Sequence, residues 1–417
     1  MSRSVAVVGA GLAGVTMAYE LAAQGWRVQV FERGGSVAEQ ASFASSALLS
    51  PFVPGLLDAP HAAPLSWRWR RWRASQRGGD ASGTLSVLSQ LGLARTLEIR
   101  RSLGVDDEAT QGLLVALTDS KRLAAAESRL DAWNAMGLQI QLLDAQQARH
   151  AEPGVNADAA LAGALRLGGG TGNARLFAQQ LRLQAQRLGA GFRFHATVRD
   201  VASDALGLSV RHEYTPPQEV PTRAHAAERE AGDTLPQFPG PIEERFDAVV
   251  LCNGLDAQAL LGQRMKLAAL HEASVTAPLR VLEAHPDLGL KSGWMDPSRG
   301  LAVARTGQRV RVVGGLALTG VSDRYTPDFE SLHRGLQHWF PGSVLHQQVQ
   351  HSQSRRATPP DGLPVLGASG QPGIWLNLSP GGNGWALACG AAQVLAQQMC
   401  GHAPVLDIAS LGPQRLA

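Results

Sequence analysis

Three glycines near the amino terminus constrain the fold more than any other feature of this sequence. Gly9, Gly11 and Gly14 form the pattern G-x-G-x-x-G directly after a short apolar strand at Ser4–Val8, and Glu32 lies 18 residues beyond Gly14. In this pattern the first glycine makes a tight turn, the second lets the backbone approach a pyrophosphate, and the third lets a helix pack closely on the strand. An acid at the end of the second strand binds ribose hydroxyls and disfavours a 2′-phosphate. The sequence therefore predicts a βαβ unit that binds a dinucleotide; the alternative is a tight turn that holds no ligand.

The size and composition place this unit in a larger globular protein. The 417 residues are 44% hydrophobic and 18% charged, enough for two domains or for one large α/β domain with a second lobe. The 38 basic residues barely exceed the 35 acidic ones, and a net charge of +3 argues against a dedicated nucleic-acid-binding protein. The three cysteines are scattered and favour a reducing compartment. No apolar stretch is long enough to span a membrane, so we expect a cytoplasmic protein and leave open peripheral contact with the inner face of a membrane.

The rest of the chain alternates between helical and strand-like patterns. Residues 85–151 are mostly helical with one strand, TQGLLVALTD, inside them. An amphipathic helix is predicted from about Ala174 to Leu188, and a buried strand at Phe246–Gly254. Further strands are expected from Ser274 to Ala284 and at Ile374–Leu378. These elements indicate an α/β protein.

A second glycine-rich loop bears on which dinucleotide binds. Ser379–Gly390, SPGGNGWALACG, follows a strand and opens a helix, so its backbone N–H groups could point at the pyrimidine edge of a flavin. FAD binds in an extended form and needs contacts from several segments, whereas the amino-terminal glycines alone do not distinguish FAD from NAD. The alternative is an ordinary glycine turn before a packed helix.

Several segments together give the sequence a specific resemblance. They are the glycine fingerprint, ASFASSALLSP (41–51), GGGTGNARLF (168–177), RRATPPDGLPVLG (355–367) and LNLSPGGNGWALACG (376–390). In this order they resemble the FAD-dependent D-amino-acid dehydrogenase group of the D-amino-acid oxidase family over nearly the whole chain. The resemblance implies a Rossmann-like FAD-binding domain with an inserted α+β substrate domain built on a mixed or antiparallel sheet.

The resemblance also implies domain bounds. Residues 1–105, 171–268 and 357–417 would form the discontinuous FAD-binding domain, and 106–170 with 269–356 the substrate domain. The proline-rich, charged stretch Tyr214–Arg245 interrupts two strands, and we expect a flexible loop insertion at 215–245.

Site residues follow from the matching motifs. Arg356 matches the family arginine that pairs with the substrate carboxylate, a group that a guanidinium fork suits. Ser42 fits the family's T-S-x-A-N-x-G segment, whereas Ser45 replaces its asparagine and Ala47 its glycine. The residues expected to bind FAD are Gly9, Gly11, Gly14, Glu32, Arg33, Ser42, Ser45, Ser46, Leu48, Leu49, Val198, Asn253, Gly254, Gly381, Gly382, Asn383, Gly384 and Trp385.

Two positions depart from the family pattern. Pro380 stands where the dehydrogenases have a histidine in the glycine loop, and Ala273 stands where a tyrosine helps to hold the carboxylate. No metal site is expected. His61, His271 and His402 could act as bases, but lone histidines are more often structural. Flavin chemistry is therefore better supported than specificity for D-amino acids.

The resemblance implies an enzyme that oxidises the C–N bond of an amino acid or related amine. Hydride would pass from Cα to flavin N5, and the imine would hydrolyse to a 2-oxo acid and ammonia. The protein places the substrate and stabilises charge on the flavin. The resemblance is compatible with either a quinone or oxygen as the electron acceptor. The alternatives are a flavin domain that modifies a wobble uridine of tRNA, and a flavin-binding subunit without catalysis.

A stretch rich in tryptophan and arginine, PLSWRWRRWRA, lies at 64–74. On a helix, Leu65, Trp69 and Trp72 would share one face, and Arg68 and Arg71 another. We interpret it as a helix packed on the cofactor domain with a solvated basic face; the alternative is a helix resting on a membrane or partner surface.

Overall fold

The computed structural model describes residues 3–43, 46–54, 56, 67–68, 81–204, 207–216, 240–262, 265, 267–280, 289–319, 325–378 and 384–416. In these ranges the strands are β1 Ser4–Val8, β2 Arg27–Phe31, β3 Leu48–Leu49, β4 Thr110–Leu117, β5 Gln141–Asp144, β6 Gly163–Thr171, β7 Gly191–Arg193, β8 Ala196–Asp204, β9 Gly207–Tyr214, β10 Ile242–Phe246, β11 Ala248–Leu251, β12 Ala268–Pro278, β13 Gly293–Asp296, β14 Leu301–Thr306, β15 Arg309–Thr319, β16 Gln350–Thr358, β17 Val365–Ala368 and β18 Ile374–Leu378. The helices are α1 Leu12–Ala23, α2 Ala81–Leu103, α3 Ser120–Ala135, α4 Ala145–Ala151, α5 Ala174–Arg187, α6 Ala257–Leu260, α7 Phe329–Trp339 and α8 Gly384–Met399.

The glycine fingerprint follows β1, a central strand of a six-stranded sheet. Its order is β17-β18-β11-β1-β2-β7, with parallel pairing throughout except between β17 and β18. All five residues of β1 are buried, as expected for a central strand of a parallel sheet covered on both faces. Helices α1, α2, α5 and α8 pack together over this sheet. This is the predicted Rossmann-like arrangement.

The protein contains a second, larger sheet of nine strands. Its order is β16-β12-β15-β14-β13-β4-β6-β3, with β5 added on β6, and the pairing is antiparallel except between β13 and β4. Helix α7 covers one face with Leu332, Leu336 and Trp339, spaced as one apolar helical stripe. The opposite face is partly polar. The α/β fold class with a mixed second sheet is thus confirmed.

The two sheets draw on sequence segments that nearly match the proposed domain bounds. Apart from β3, the large sheet takes its strands from 110–171 and 268–358, and the parallel sheet takes its strands from the rest of the chain. Strand β3 is the exception. Leu48 and Leu49 follow the first βαβ unit in sequence, yet they pair with Thr171 and Gly170 of the large sheet. The division into two domains stays a proposal.

Several sequence expectations need correction. The charged stretch to Arg245 is not all loop, because Ile242–Phe246 is an edge strand paired with β9, and its charges face solvent in ion pairs such as Arg245–Asp204 at 2.8 Å. Between these strands, 217–239 lie outside the described residues. Residues 85–151 hold an unpredicted short strand, β5, which gains its pairing from β6. Strand β12 begins at Ala268, six residues before the predicted start, because β15 and β16 pair with it there.

Helix α5 ends within one residue of its predicted end, at Arg187 rather than Leu188. Asn173 caps its start by accepting a hydrogen bond from the Leu176 N–H at 3.2 Å. The helix thus begins where its sequence favours a cap. The predicted strand at Ile374–Leu378 has the predicted bounds.

Candidate active site

Two of the three fingerprint glycines, Gly9 and Gly14, occupy positions that disfavour any side chain. Gly9 has a φ of +97°, and a Cβ on Gly14 would lie 1.8 Å from the carbonyl oxygen of Gly9. Gly11 precedes the first turn of α1 and gives that helix no side-chain cap of its own. The amino end of α1 therefore presents backbone N–H groups beside a turn that only glycine can form, which suits an anion such as a pyrophosphate.

Glu32 stands beside this turn at the end of β2. Its two carboxylate oxygens accept hydrogen bonds from the Ala10 N–H at 2.7 Å and the Gly34 N–H at 2.8 Å. The carboxylate is held in place and half-buried, as a group that accepts ribose hydroxyls requires. Arg33 instead points outward and pairs with Asp256 at 2.7 Å, with both side chains exposed.

The segment around Ser42 closes on the same helix end. The Ser42 hydroxyl accepts a hydrogen bond from the Leu12 N–H at 3.0 Å, so it satisfies one free donor of α1. Ser45 lies outside the described residues, and Ser46 is half-buried. Leu48 and Leu49 are buried in β3.

Ala47 takes a φ of +59°, a conformation that favours the glycine found there in the family pattern. Its carbonyl oxygen accepts a hydrogen bond from the Gly172 N–H at 3.0 Å. Ala47 therefore adopts a backbone conformation that glycine takes at lower cost.

Two further cofactor candidates follow β11 at the same sheet edge. Asn253 has a buried side-chain oxygen with no hydrogen-bond partner within the described ranges, and Gly254 has a φ of +60°. An unpaired buried carbonyl oxygen is costly unless a ligand or water donates to it. Val198 is half-buried on β8 and packs on the core beneath that strand.

The second glycine loop is only partly described. Gly381, Gly382, Asn383 and Pro380 lie outside the described residues, and Gly384 begins α8. The Trp385 side chain is buried among helices, with its ring 6.0 Å from that of Phe177 and under the Arg100 guanidinium at 5.7 Å. Its role in binding FAD stays a prediction, which now rests on its backbone.

Sequence reasoning missed one polar residue near this end of the sheet. Asn377 is fully buried in β18, next to the first turns of α1, and its side-chain oxygen has no hydrogen-bond partner in the described part of the chain. The signal was a single amide within the otherwise apolar strand IWLNL.

Arg356 lies on the polar face of the large sheet. Its Nη2 atom is 2.6 Å from Oε2 of Glu272, and the two side chains are only 10% and 5% exposed. Burial raises the pKa of Glu272, against the opposing effect of the Arg356 and Arg311 charges. Sequence reasoning missed Glu272, although a carboxylate inside a run of buried strand residues was a usable signal.

The position aligned with the family tyrosine does not face Arg356. Ala273 is fully buried on the other face of β12, against the core beneath α7. Successive strand residues alternate between faces, so Glu272 takes the position beside the arginine. His271, on the face of Ala273, bonds to Thr319 at 2.9 Å and stacks on Tyr325 at 4.8 Å. His402 is exposed, and His61 lies outside the described residues.

Arg311 connects this polar face to the cofactor end of the protein. Its Nε donates to the Thr276 hydroxyl at 3.1 Å, and its guanidinium donates to the Phe43 carbonyl oxygen and lies 5.2 Å from the Phe43 ring centroid. Burial lowers the pKa of Arg311 to about 10. Phe43 directly follows Ser42, so the polar sheet face and the fingerprint helix share one short segment.

A second connection joins the strand of Arg356 to the carboxyl edge of the parallel sheet. The turn Gly254–Asp256, which follows β11, packs against β16, the strand that carries Arg356. Acidic residues, histidines and cysteines form no cluster of three that could hold a metal in the described part of the chain. Across the same residues, no helix is long and apolar enough to cross a membrane.

Comparison with known proteins identifies the family. A family model described as FAD dependent oxidoreductase matches residues 4–398. The chain belongs to this family of FAD dependent oxidoreductases. The glycine turn, the held Glu32 carboxylate and the unpaired Asn253 oxygen fit FAD, which this family uses to accept electrons.

Three curated relatives carry the same name, D-amino acid dehydrogenase. The chain is 29% and 30% identical to two proteins named D-amino acid dehydrogenase from strains of Cereibacter sphaeroides, over 99% of this chain and 95% of each relative. A protein of the same name from Rhizorhabdus wittichii is 28% identical, with 99% of both chains covered.

Solved structures of two other proteins share the fold. Glycine oxidase from Geobacillus kaustophilus superposes with a TM-score of 0.72 at 21% identity, covering 100% of this chain and 99% of that one. L-amino acid deaminase from Proteus vulgaris gives 0.70 at 16% identity, covering 99% and 94%. Since these neighbours are named for glycine and for L-amino acids, the shared fold alone does not fix the handedness of the substrate.

Proposed function

We propose that this FAD dependent oxidoreductase oxidises the C–N bond of an amino acid, in the manner of a D-amino acid dehydrogenase. Arg356 carries the proposal: its guanidinium is nearly buried, its strand packs against the turn that follows β11, and its Nε atom has no hydrogen-bond partner among the described residues. Such a group pairs well with a carboxylate in a site that excludes water. The names of the curated relatives favour D-amino acids.

The protein's part in this reaction is placement. FAD, when bound, supplies the two-electron acceptor. Arg356 would bind the substrate carboxylate and fix the orientation of Cα, and Glu32 with the amino end of α1 would hold the ribose and pyrophosphate of the cofactor. Orienting the substrate in this way lowers the barrier to oxidation.

The direct test is anaerobic reduction of the bound flavin. We expect its absorbance near the visible maximum to bleach with one or more D-amino acids, and a panel with L-amino acids, proline, sarcosine and glycine defines the specificity. If no compound bleaches the flavin, the non-catalytic subunit becomes the better interpretation. Tight tRNA binding that weakens with salt would instead favour the tRNA-modifying alternative.

Arg356→Lys tests the carboxylate-binding role separately. Lysine keeps the charge but loses the planar fork, so we expect KM for the amino acid to rise about 10- to 100-fold, since a hydrogen bond to a charged group contributes roughly 1.5–3 kcal/mol. Arg355→Lys is the matched control, because Arg355 is exposed on the opposite face of β16. An unchanged KM for Arg356→Lys, measured by flavin reduction, contradicts the assignment.

The proposal also covers the electron acceptor and the location of the enzyme in the cell. We propose a cytoplasmic enzyme that passes electrons to a quinone or to oxygen. The small number and scatter of the cysteines support a reducing compartment. Turnover with an artificial quinone but without oxygen consumption would identify a dehydrogenase, and stoichiometric oxygen consumption an oxidase.

A further inference from the structure

Arg356 alone would be enough to bind a substrate carboxylate, but in the structure it is paired with Glu272. Strands β12 and β16 are in register with Leu270 opposite Arg356 and Glu272 opposite Ser354, so both charges project from one face. A carboxylate beside the arginine competes with a substrate carboxylate for it. Glu272 must therefore have a use of its own at this site, or it weakens the binding that Arg356 provides.

The polar atoms around Glu272 are incompletely satisfied. The Ser274 and Ser354 hydroxyls, like Arg356 Nε, are buried without a hydrogen-bond partner in the described ranges. A buried ion pair stabilises a protein only when its remaining donors and acceptors are also paired. This group of side chains thus lacks the complete set of bonds that a structural ion pair has, and a polar ligand would supply the rest.

The spacing of the charges matches one part of an amino acid. Arg356 Nη2 and Glu272 Oε2 are 2.6 Å apart, so their opposite charges are immediate neighbours. An α-amino acid carries its carboxylate and its ammonium group on the same carbon, and these two charges are neighbours as well. A cationic side chain lies several bonds from the carboxylate and fits this arrangement less well. The α-nitrogen is therefore the group that suits Glu272.

We propose that Glu272 binds the α-ammonium group of the substrate and removes one proton from it. This inference rests on the proposed function. One N–H bond breaks and leaves its electron pair on nitrogen, while the proton forms an O–H bond on the Glu272 carboxylate. No electrons leave the substrate in this step. The amino acid then enters oxidation as a free amine, and Glu272 is a catalytic residue beside the carboxylate-binding Arg356.

The charges around Glu272 permit this transfer. Arg356 from β16, Arg311 from β15 and Tyr325 from the segment before α7 act on it electrostatically, while His271 and Arg355 lie on the other face. Burial raises the pKa of Glu272, which makes it a stronger base than an exposed glutamate once it is ionised. Arg356 and Arg311 keep the ionised form accessible.

Rapid anaerobic flavin reduction as a function of pH tests the proposal. With an amino acid that reduces the wild-type flavin, we expect the second-order rate constant to level off near neutral pH. In Glu272→Gln the constant should keep rising with pH until the amine of the free substrate has itself lost its proton. The variant should be about 100-fold slower near pH 7, and the difference should shrink at high pH. A loss due only to altered packing would be the same at every pH.

A control variant and the wild-type pH profile distinguish the possible outcomes. Glu243→Gln changes an exposed carboxylate of β10, 55% exposed, and should keep the wild-type profile. Parallel profiles for wild type and Glu272→Gln would overturn the proposal. Should Glu272→Gln fail to bind FAD, the wild-type profile decides, because a constant that rises through the amine pKa excludes a protein base. If no amino acid reduces the wild-type flavin, the proposed function fails before this inference is reached.

Discussion

At the scale of single residues, Gly14 is the most demanding position of the cofactor site. We expect Gly14→Ala to lose FAD, because the added Cβ would lie 1.8 Å from the Gly9 carbonyl oxygen and must displace either the turn or α1. The matched control is Gly25→Ala: Gly25 has a φ of +82° but open space around it, so the change costs about 1–2 kcal/mol of backbone strain and leaves FAD bound. The ratio of flavin absorbance to protein after gel filtration checks both. Retained FAD in Gly14→Ala would show that the turn can relax.

Glu152 gives a residue-scale prediction about pH. Burial raises its pKa to about 7, although it accepts a hydrogen bond from the Lys291 N–H at 2.9 Å. Since the folded-state pKa lies above the unfolded value, the stability that the protonated form provides is complete below about pH 4.5 and is lost as the pH rises through about 7. Glu152→Gln stays neutral, so its stability relative to wild type should improve by up to about 3 kcal/mol between pH 4.5 and pH 8.

Urea unfolding at both pH values measures this difference. Glu330→Gln is the control, because Glu330 is an exposed residue of α7, with 82% of its side chain accessible, and should show no comparable trend. A difference between wild type and Glu152→Gln that is constant with pH would mean that Glu152 keeps an ordinary pKa.

At the scale of elements, the crossing of α2 and α8 sets the position of the first turn of α8. A Cβ on Gly92 would lie 1.9 Å from the Ala386 carbonyl oxygen, so the two backbones are in direct contact at the first turn of α8. We expect Gly92→Ala to push α8 outward, which lowers both FAD affinity and the thermal midpoint. Gly168→Ala on β6, where nothing lies within 4 Å, should change little. Titration of the FAD-free protein with FAD gives the affinities, and equal values for both variants would contradict this account.

At the scale of the whole molecule, the tryptophan- and arginine-rich stretch at 64–74 bears on whether the protein contacts a membrane or a partner. Trp67 is buried against Ala268, Leu270 and Leu318 of the large sheet, and Arg68 is exposed. Leu65, Trp69 and Trp72, the predicted buried face, lie outside the described residues. Because the net charge of the chain is only +3, binding to anionic vesicles would have to come from this local stretch.

If the stretch rests on a membrane surface, the variant with Arg68, Arg70, Arg71 and Arg73 changed to Gln will sediment less with anionic vesicles than wild type. Each basic residue near such a surface contributes about 1 kcal/mol, so most of the binding should disappear. Equal sedimentation would leave the stretch as a packing element with a solvated face.

The parts of the fold that were predictable from sequence are those fixed by local rules. The glycine turn, the acid after β2 and the bounds of β18 follow from short-range sterics and periodicity. Strand β3 and the ion pair of Glu272 with Arg356 were not predictable, because each depends on strands that are far apart in sequence and meet only in the large sheet. The same holds for Ala273, whose motif alignment suggested a site position, whereas strand alternation turns it toward α7.

The bond between Arg311 and Phe43 has a thermodynamic consequence. Phe43 adjoins the serine that caps the fingerprint helix, so a ligand that draws Arg311 toward itself also acts on the segment at the amino end of α1, where we predict the pyrophosphate of FAD to bind. Binding at the two places is then coupled, and the coupling is reciprocal: an amino acid that changes the dissociation constant of FAD by some factor must have its own changed by FAD by the same factor. The enzyme would thereby hold its cofactor with a strength that depends on whether substrate is present.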